Sequence, residues 1–169
     1  MANTYTLIAS VTVGSGGAQS MAFTSIPQTY TDLLLRVSAR NTNDNYGGYT
    51  VYRTSISTRF EGKFLSTDSG SAGSGTTSEF FFTRSSNTAN TFSSEDLYIP
   101  NYTSSVNKPL IADGAVENNS TSSYRFNSLY GYLLSDTAAI NQLYVEVGPG
   151  FPDKFTQYST AYLYGISNA

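Results

Sequence analysis

The segment Asp32-Leu-Leu-Leu-Arg-Val-Ser-Ala-Arg-Asn41 decides the fold class of this chain. Apolar residues occupy every second position of it, at Leu33, Leu35, Val37 and Ala39, and most of the residues between them are polar. A period of two places alternate side chains on opposite faces of an extended strand. We therefore predict an antiparallel β-strand over this segment, with one face buried.

The same period recurs along the chain in runs rich in β-branched and aromatic residues, separated by Gly, Asn, Ser and Pro. In the first run we expect the alternate residues from Tyr5 to Val13 to share one face. No capped segment with a period of 3.6 residues occurs, although one short turn could form at 135–142. About ten strands are predicted, at 5–13, 20–24, 32–41, 50–63 with a turn at 61–62, 79–83, 91–99, 110–116, 124–134, 140–147 and 156–166.

Short strands with turn signals between them indicate a single all-β domain over residues 1–169, built as a sandwich, a jelly roll or a barrel. The tract Ser66–Ser78 is composed mainly of Ser, Gly and Thr and has little to bury, so we expect a mobile surface loop there. The residues predicted for the core are Leu33, Leu35, Val37, Ile56, Leu143, Val145 and Leu163.

The composition narrows the classes of function. Charged residues make up 12% of the chain, against about 25% in an average soluble domain, and the net charge is only -3. No basic run is present, so the chain lacks the electrostatic signature of nucleic-acid or anionic-membrane binding. There is no apolar run near the ~18 residues of a membrane span and no signal-peptide pattern at the amino terminus. We expect neither nucleic acid nor membrane as a partner.

Histidine and cysteine are both absent, which removes the usual base at neutral pH and the commonest metal ligands and nucleophiles. A pair of carboxylates could still hydrolyse a glycoside, and Asp113 and Glu117 have a spacing that could place them on one face. Nothing near them supplies a sugar platform, so we predict no enzyme, catalytic residue, metal or cofactor. The cluster Asn41–Asn45 could wrap calcium, but Asx residues before Gly favour a turn. The acids considered are Glu79, Glu95, Asp96, Asp113, Glu117 and Glu146.

Tyrosine is unusually frequent, with 14 copies. In the segment 158–166 the even positions carry Tyr, Thr or Ile, while Ala161 and Leu163 form the opposite face. A strand covered on both faces suits either a central sandwich strand or a subunit interface. The candidate interface residues are Tyr158, Tyr162 and Tyr164. Aromatic residues that could lie at loop tips and stack on sugars are Tyr46, Tyr49, Tyr102 and Phe151.

Several segments together resemble a family of small virion structural proteins from aquatic tailed phages such as cyanophages. The resemblance covers nearly the whole chain and is loose between Tyr46 and Asn90. The segments that carry it are Thr4-Tyr-Thr-Leu-Ile-Ala-Ser-Val-Thr-Val-Gly-Ser-Gly-Gly17, Phe23-Thr-Ser-Ile-Pro-Gln-Thr-Tyr-Thr-Asp-Leu-Leu-Leu-Arg-Val-Ser-Ala-Arg40, Tyr98-Ile-Pro-Asn-Tyr-Thr-Ser-Ser105, Glu117-Asn-Asn119 and Gln157-Tyr-Ser-Thr-Ala-Tyr-Leu-Tyr-Gly-Ile166.

The resemblance implies a jelly-roll-like sandwich that assembles as a homotrimer. It implies placement on the capsid surface, after synthesis in the cytoplasm of the bacterial host, and no reaction. The expected function is a capsid decoration, or cement, protein whose partners are itself and the major capsid protein. The alternative is a fibre-associated, receptor-binding or carbohydrate-binding module of the virion, with a surface glycan as its ligand. The family motifs are scaffold motifs, so no functional residue is transferred from them.

Overall fold

A computed structural model describes residues 4–42, 49–52, 61–68, 71–77, 80, 82–116, 127–147 and 153–167. These residues form strands and connections without a helix, which confirms the all-β prediction. The strands are β1 (Thr4–Thr12), β2 (Ser20–Phe23), β3 (Asp32–Ser38), β4 (Tyr49–Tyr52), β5 (Glu61–Asp68), β6 (Ser71–Thr77), β7 (Ser94–Ile99), β8 (Lys108–Ala115), β9 (Asn127–Leu134), β10 (Leu143–Val147) and β11 (Thr160–Ser167).

The strands form two antiparallel sheets of unequal size. The large sheet has the order β1-β11-β3-β7-β8-β9-β5-β6, and the small sheet has the order β2-β10-β4. Met21 and Val145 of the small sheet and Leu35 and Leu163 of the large sheet are all fully buried in one hydrophobic core. The two sheets are therefore the layers of one β-sandwich.

The strand β3 lies inside the large sheet, between β11 and β7. Leu35 stands directly opposite Leu163 on β11 and Leu97 on β7, and all three side chains are buried. The predicted core is confirmed at every described position, and Ile56 lies outside the described residues. The confirmed core residues are Leu33, Leu35, Val37, Leu143, Val145 and Leu163.

In β1, the prediction that the alternate residues from Tyr5 to Val13 share one face is wrong. The pairing with β11 shifts register between Leu7 and Ala9, where one extra residue is inserted. Such a bulge reverses the direction of every later side chain, because the period of a strand is two. Tyr5 and Leu7 consequently point to solvent, whereas Ala9 packs against the core.

The Ser/Gly tract also differs from its prediction. Ser71–Thr77 forms β6 and pairs along its whole length with β5, so the predicted loop at 66–78 is largely a β-hairpin, and the turn predicted at 61–62 is the start of β5. Strand pairing needs backbone N–H and C=O groups, which small residues supply as well as large ones. An edge strand such as β6 can therefore form without burying apolar side chains.

Candidate interaction surface

The outer face of the large sheet, which points away from the small sheet, carries an unusual number of exposed apolar side chains. On β9, Tyr130, Tyr132 and Leu134 are buried on the inner face, while Leu129 and Leu133 project outward. In the described part of the chain, nine large hydrophobic side chains are exposed, and seven of these lie on the outer face. Scattered exposed residues are normal, but a concentration on one face marks an interaction site. The seven are Tyr5, Leu7, Leu65, Tyr98, Ile111, Leu129 and Leu133.

Four of these side chains, Leu65, Ile111, Leu129 and Leu133, form an apolar patch across β5, β8 and β9. Leu65 and Leu129 stand directly opposite each other. Between Ile111 and β5 the sheet presents Gly131, and a Cβ placed there would have no atom within 4 Å. The missing side chain leaves a groove of about 510 Å³ over β5, β8 and β9. The patch can therefore receive an apolar side chain from a partner.

A row of charged residues crosses β3, β7 and β8 on the other half of the outer face. Arg36 stands opposite Asp96, which stands opposite Asp113. Arg36 donates two hydrogen bonds to Asp96, from Nε to Oδ1 at 2.7 Å and from Nη2 to Oδ2 at 2.6 Å. These hydrogen bonds and the charge of Asp96 raise the pKa of the Arg36 guanidinium. The bidentate pair holds both side chains in one geometry.

The next row of the same face contains Tyr164, Leu34, Tyr98 and Ile111 on β11, β3, β7 and β8. The hydroxyl of Tyr98 donates to Oδ2 of Asp32 at 2.7 Å. Burial and this bond raise the pKa of Tyr98 to about 12. Because Asp32 is itself buried and also accepts a backbone N–H at 2.8 Å, the Tyr98 ring is held in place.

The structure separates the three tyrosines predicted as interface residues. Tyr162 and Tyr164 are half-buried on the outer face, where Tyr164 stands opposite Leu7 on β1 and Tyr162 stands opposite Arg36 on β3. Tyr158 lies in the turn before β11 with a φ of 71°, and its side chain is exposed. Two of the three residues therefore belong to one surface, and Tyr158 does not.

The prediction of Tyr102 as an exposed loop tip is wrong. Its side chain is fully buried, and its hydroxyl donates to the backbone oxygen of Pro27. Burial raises the pKa of this phenol. Tyr49 begins β4, opposite Val147, instead of lying at a loop tip. Tyr46 and Phe151 lie outside the described residues.

One of the acids considered from the sequence, Glu95, is a buried carboxyl group, and its burial was not predicted. Glu95 is 3% exposed, and neither carboxylate oxygen has a hydrogen-bond partner. Burial, with smaller contributions from Asp113 and Asp96, raises the pKa of Glu95 well above its ordinary value. The sequence contained a sign of this burial, because Glu95, Leu97 and Ile99 occupy alternate positions of β7 and therefore share its buried face. The carboxyl lies against the Cα of Gly114, in space that a Cβ at that position would occupy.

A buried cation organises the connection between residues 85 and 91. Arg40, which is 9% exposed, donates hydrogen bonds to the backbone oxygens of Ser85, Asn87, Thr88 and Thr91. Burial lowers the pKa of its guanidinium. Arg40 therefore serves as a structural anchor, since its donors are taken up by the chain itself.

Neither a metal site nor a membrane-crossing helix occurs in the part of the chain that the structure describes. There, no three acidic side chains come together in a way that could hold a metal ion. The described ranges also contain no helix long and apolar enough to cross a membrane. Comparisons of the chain with family models, with curated proteins and with solved structures gave no match.

Proposed function

We propose that this chain is a non-enzymatic structural protein of a tailed-phage particle, and that it decorates and stabilises the capsid. The observation that carries the proposal is the apolar patch of Leu65, Ile111, Leu129 and Leu133 on the outer face. Exposed apolar surface is costly in an isolated subunit and favourable once a partner covers it. The proposed partner is the major capsid protein.

The size of the patch favours attachment through several weak contacts. Its four half-exposed aliphatic side chains supply less than the ~800 Å² that one partner contributes to a standard interface. One subunit would thus bind weakly. Three subunits joined in a trimer would bind more firmly, because each later contact forms at an effective concentration near millimolar. Assembly as a homotrimer is part of the proposal.

The expected consequence is a capsid that opens at a higher temperature. A protein that binds the intact lattice and not the dispersed subunits stabilises the lattice by about 2.7 kcal/mol per site at a hundredfold excess over Kd. The four side chains of the patch are uncharged, and one charged residue, Lys63, lines its groove. Binding should therefore persist at moderate salt better than attachment by ion pairs alone would. The lattice should assemble without this protein and gain stability when it is added.

The test is add-back of the purified protein to preformed capsids that lack it, followed by thermal release at two ionic strengths. The double variant Leu129→Gln/Leu133→Gln should lose binding. Val106→Gln is the matched control, because Val106 is equally exposed but lies in the connection between β7 and β8. Equal binding by both variants would exclude the patch as the attachment surface, and no rebinding of the unmodified protein would overturn the capsid proposal.

The alternative function is that of a fibre-associated or receptor-binding module. A groove on the other half of the outer face favours this alternative. The half of the outer face that contains Arg36, Asp96, Asp113 and Tyr98 combines aromatic and polar side chains in a groove. The number of copies separates the two functions, since a decoration protein is present in tens to hundreds of copies per particle and a fibre tip in far fewer. Gel densitometry of purified particles against the major capsid protein measures that number.

A further inference from the structure

A second groove, of about 550 Å³, opens on the outer face over β1, β11, β3, β7 and β8. It shares Ile111 on β8 with the apolar patch, whose other residues lie on β5 and β9. The strands of a sheet lie about 4.8 Å apart, so the centres of the two regions are separated by roughly 15 Å. A partner that covers Leu65, Leu129 and Leu133 would therefore leave room for a ligand over β1, β11, β3 and β7.

The groove consists of two parallel rows of side chains with different chemistry. The polar row contains Arg36, Asp96 and Asp113. The aromatic row contains Tyr98 and Tyr164 with Leu34 between them, and Tyr5 lines the groove from the next position along, opposite Ile166. Residues two positions apart on one strand are separated by about 7 Å, which is therefore the distance between the rows. A ligand lying across the groove meets aromatic rings on one side and charged hydrogen-bonding groups on the other.

The polar row holds one cation and two carboxylates, a net charge of -1, so its charges argue most strongly against an anionic ligand. The side chain of Arg36, which is 55% exposed in the middle of the groove, opposes a cation. Asp96 and Asp113 lie beside it and would repel an anion. The row combines guanidinium donors with carboxylate acceptors, and Asp113 makes no hydrogen bond within the described part of the chain. Neutral hydroxyl groups, each of which both donates and accepts, match this combination.

The polar row places two carboxylates, Asp96 and Asp113, directly opposite each other. Like charges opposite each other on neighbouring strands destabilise a sheet. Arg36 is bonded to Asp96 and offsets one of the two charges, while Asp113 keeps free acceptor positions. A ligand hydroxyl that donates to Asp113 would satisfy an acceptor that the fold leaves open.

The aromatic row supplies the apolar half of the recognition. Tyr98 is fixed by its hydrogen bond to Asp32, so its ring loses little freedom when a ligand binds. Tyr5 is 59% exposed at the other side of the groove. Tyrosine presents an apolar ring together with a polar hydroxyl, which suits a ligand that has C–H faces and hydroxyl edges. Sugars combine these two features.

We propose that this groove binds a neutral glycan, with sugar rings against Tyr5 and Tyr98 and hydroxyl groups hydrogen-bonded to Arg36, Asp96 and Asp113. The proposal does not rest on placement in a virion. A decoration protein with this site would add adhesion to its structural role, and a fibre protein would use the site as its receptor contact.

The test is an NMR titration of the purified chain with a panel of neutral mono-, di- and trisaccharides. A sialylated trisaccharide and a tri-lysine peptide serve as the anionic and cationic probes. We expect millimolar binding of at least one neutral sugar, with shift changes confined to backbone amides of β1, β3, β7, β8 and β11. Neither charged probe should bind in the groove.

Variants then connect the binding to the groove. Tyr5→Ala and Asp113→Ala should each weaken sugar binding by about tenfold or more, because each removes one half of the recognition. Both side chains are exposed, so the fold should persist, which a melting curve checks. Leu133→Ala, on the apolar patch of the same face and opposite Pro109, is the matched control and should bind as the unmodified chain does.

Three results would overturn the proposal. The first is that no neutral sugar binds at millimolar concentration, and the second is that shift changes map away from the groove. The third is binding of tri-lysine in the groove without binding of sugars, which would identify a docking site for basic side chains. None of these results depends on capsids, so failure here is separate from failure of the add-back experiment.

Discussion

Replacing Leu35 by alanine tests which face of the large sheet is covered. Leu35 is fully buried between Leu163 and Leu97, whose backbones are held opposite it by strand pairing on both sides. Paired strands cannot easily move inward to fill the space, so the loss should not fall at the lower end of the range for leucine to alanine. We expect the free energy of unfolding to fall by about 3 to 4 kcal/mol. For a chain of this length the melting temperature should drop by roughly 6 to 16 °C.

The assay is urea unfolding followed by circular dichroism and by tyrosine fluorescence, since the chain has no tryptophan. Leu129→Ala is the control on the outer face, where the leucine is 51% exposed and loses only part of a buried side chain. Leu129→Ala should lower the free energy of unfolding by less than about 1 kcal/mol. A loss under about half a kilocalorie for Leu35→Ala would contradict the buried position of Leu35.

A comparable loss for both variants would contradict an outer face that is open in the isolated chain. In that case the cost for Leu129→Ala should depend on protein concentration, because only association between chains could bury its side chain. Light scattering over the same concentration range would then show a change in mass. A stable trimer formed through the outer face would give this pattern.

Three further predictions concern buried polar groups. Glu95→Gln should stabilise the fold at neutral pH, because it removes a buried group that would have to carry a charge there. With its raised pKa, the native Glu95 leaves the fold fully stable below the unfolded pKa near 4.3, and this stability is lost as the pH rises through the folded pKa. Urea midpoints from pH 4 to 9, with Glu146→Gln as control, check this, and an unchanged pH profile would contradict it. Gly114→Ala should destabilise the fold through a clash with the Glu95 carboxyl, and Gly114→Ala combined with Glu95→Ala should recover part of the loss. Arg40→Met should lower the free energy of unfolding by about 3 kcal/mol and make residues 85–91 sensitive to protease, because buried carbonyls lose a charged donor. Equal proteolysis of the variant and the unmodified chain would rule out the anchor role.

The candidate site was predicted from the sequence only in part. The alternation in 158–166 led to Tyr162 and Tyr164, which lie on the outer face. The groove combines these strands with Arg36, Asp96 and Asp113, and nothing local indicates that β3, β7 and β8 are neighbours. Tyr102 was predicted to lie at a loop tip, but the backbone oxygen of Pro27 provides a buried acceptor for its hydroxyl.

The sequence by itself determined that the chain is all-β and which residues along most strands share a face. Both follow from the alternation of side chains, which acts between residues two positions apart. The phase of Leu33, Leu35 and Val37, and that of Leu143 and Val145, already distinguished buried from outward positions.

The tertiary structure decided which apolar face is covered, how the strands are divided between the sheets, and where the alternation breaks. Tyr130 and Tyr132 on one face of β9 and Leu129 and Leu133 on the other are similarly apolar, so their hydropathy does not say which pair meets the small sheet. The bulge after Leu7 and the pairing of the Ser/Gly strand β6 depend on partners far along the chain. These features arise from backbone hydrogen bonds and packing between distant segments, whose relative stability no local pattern encodes.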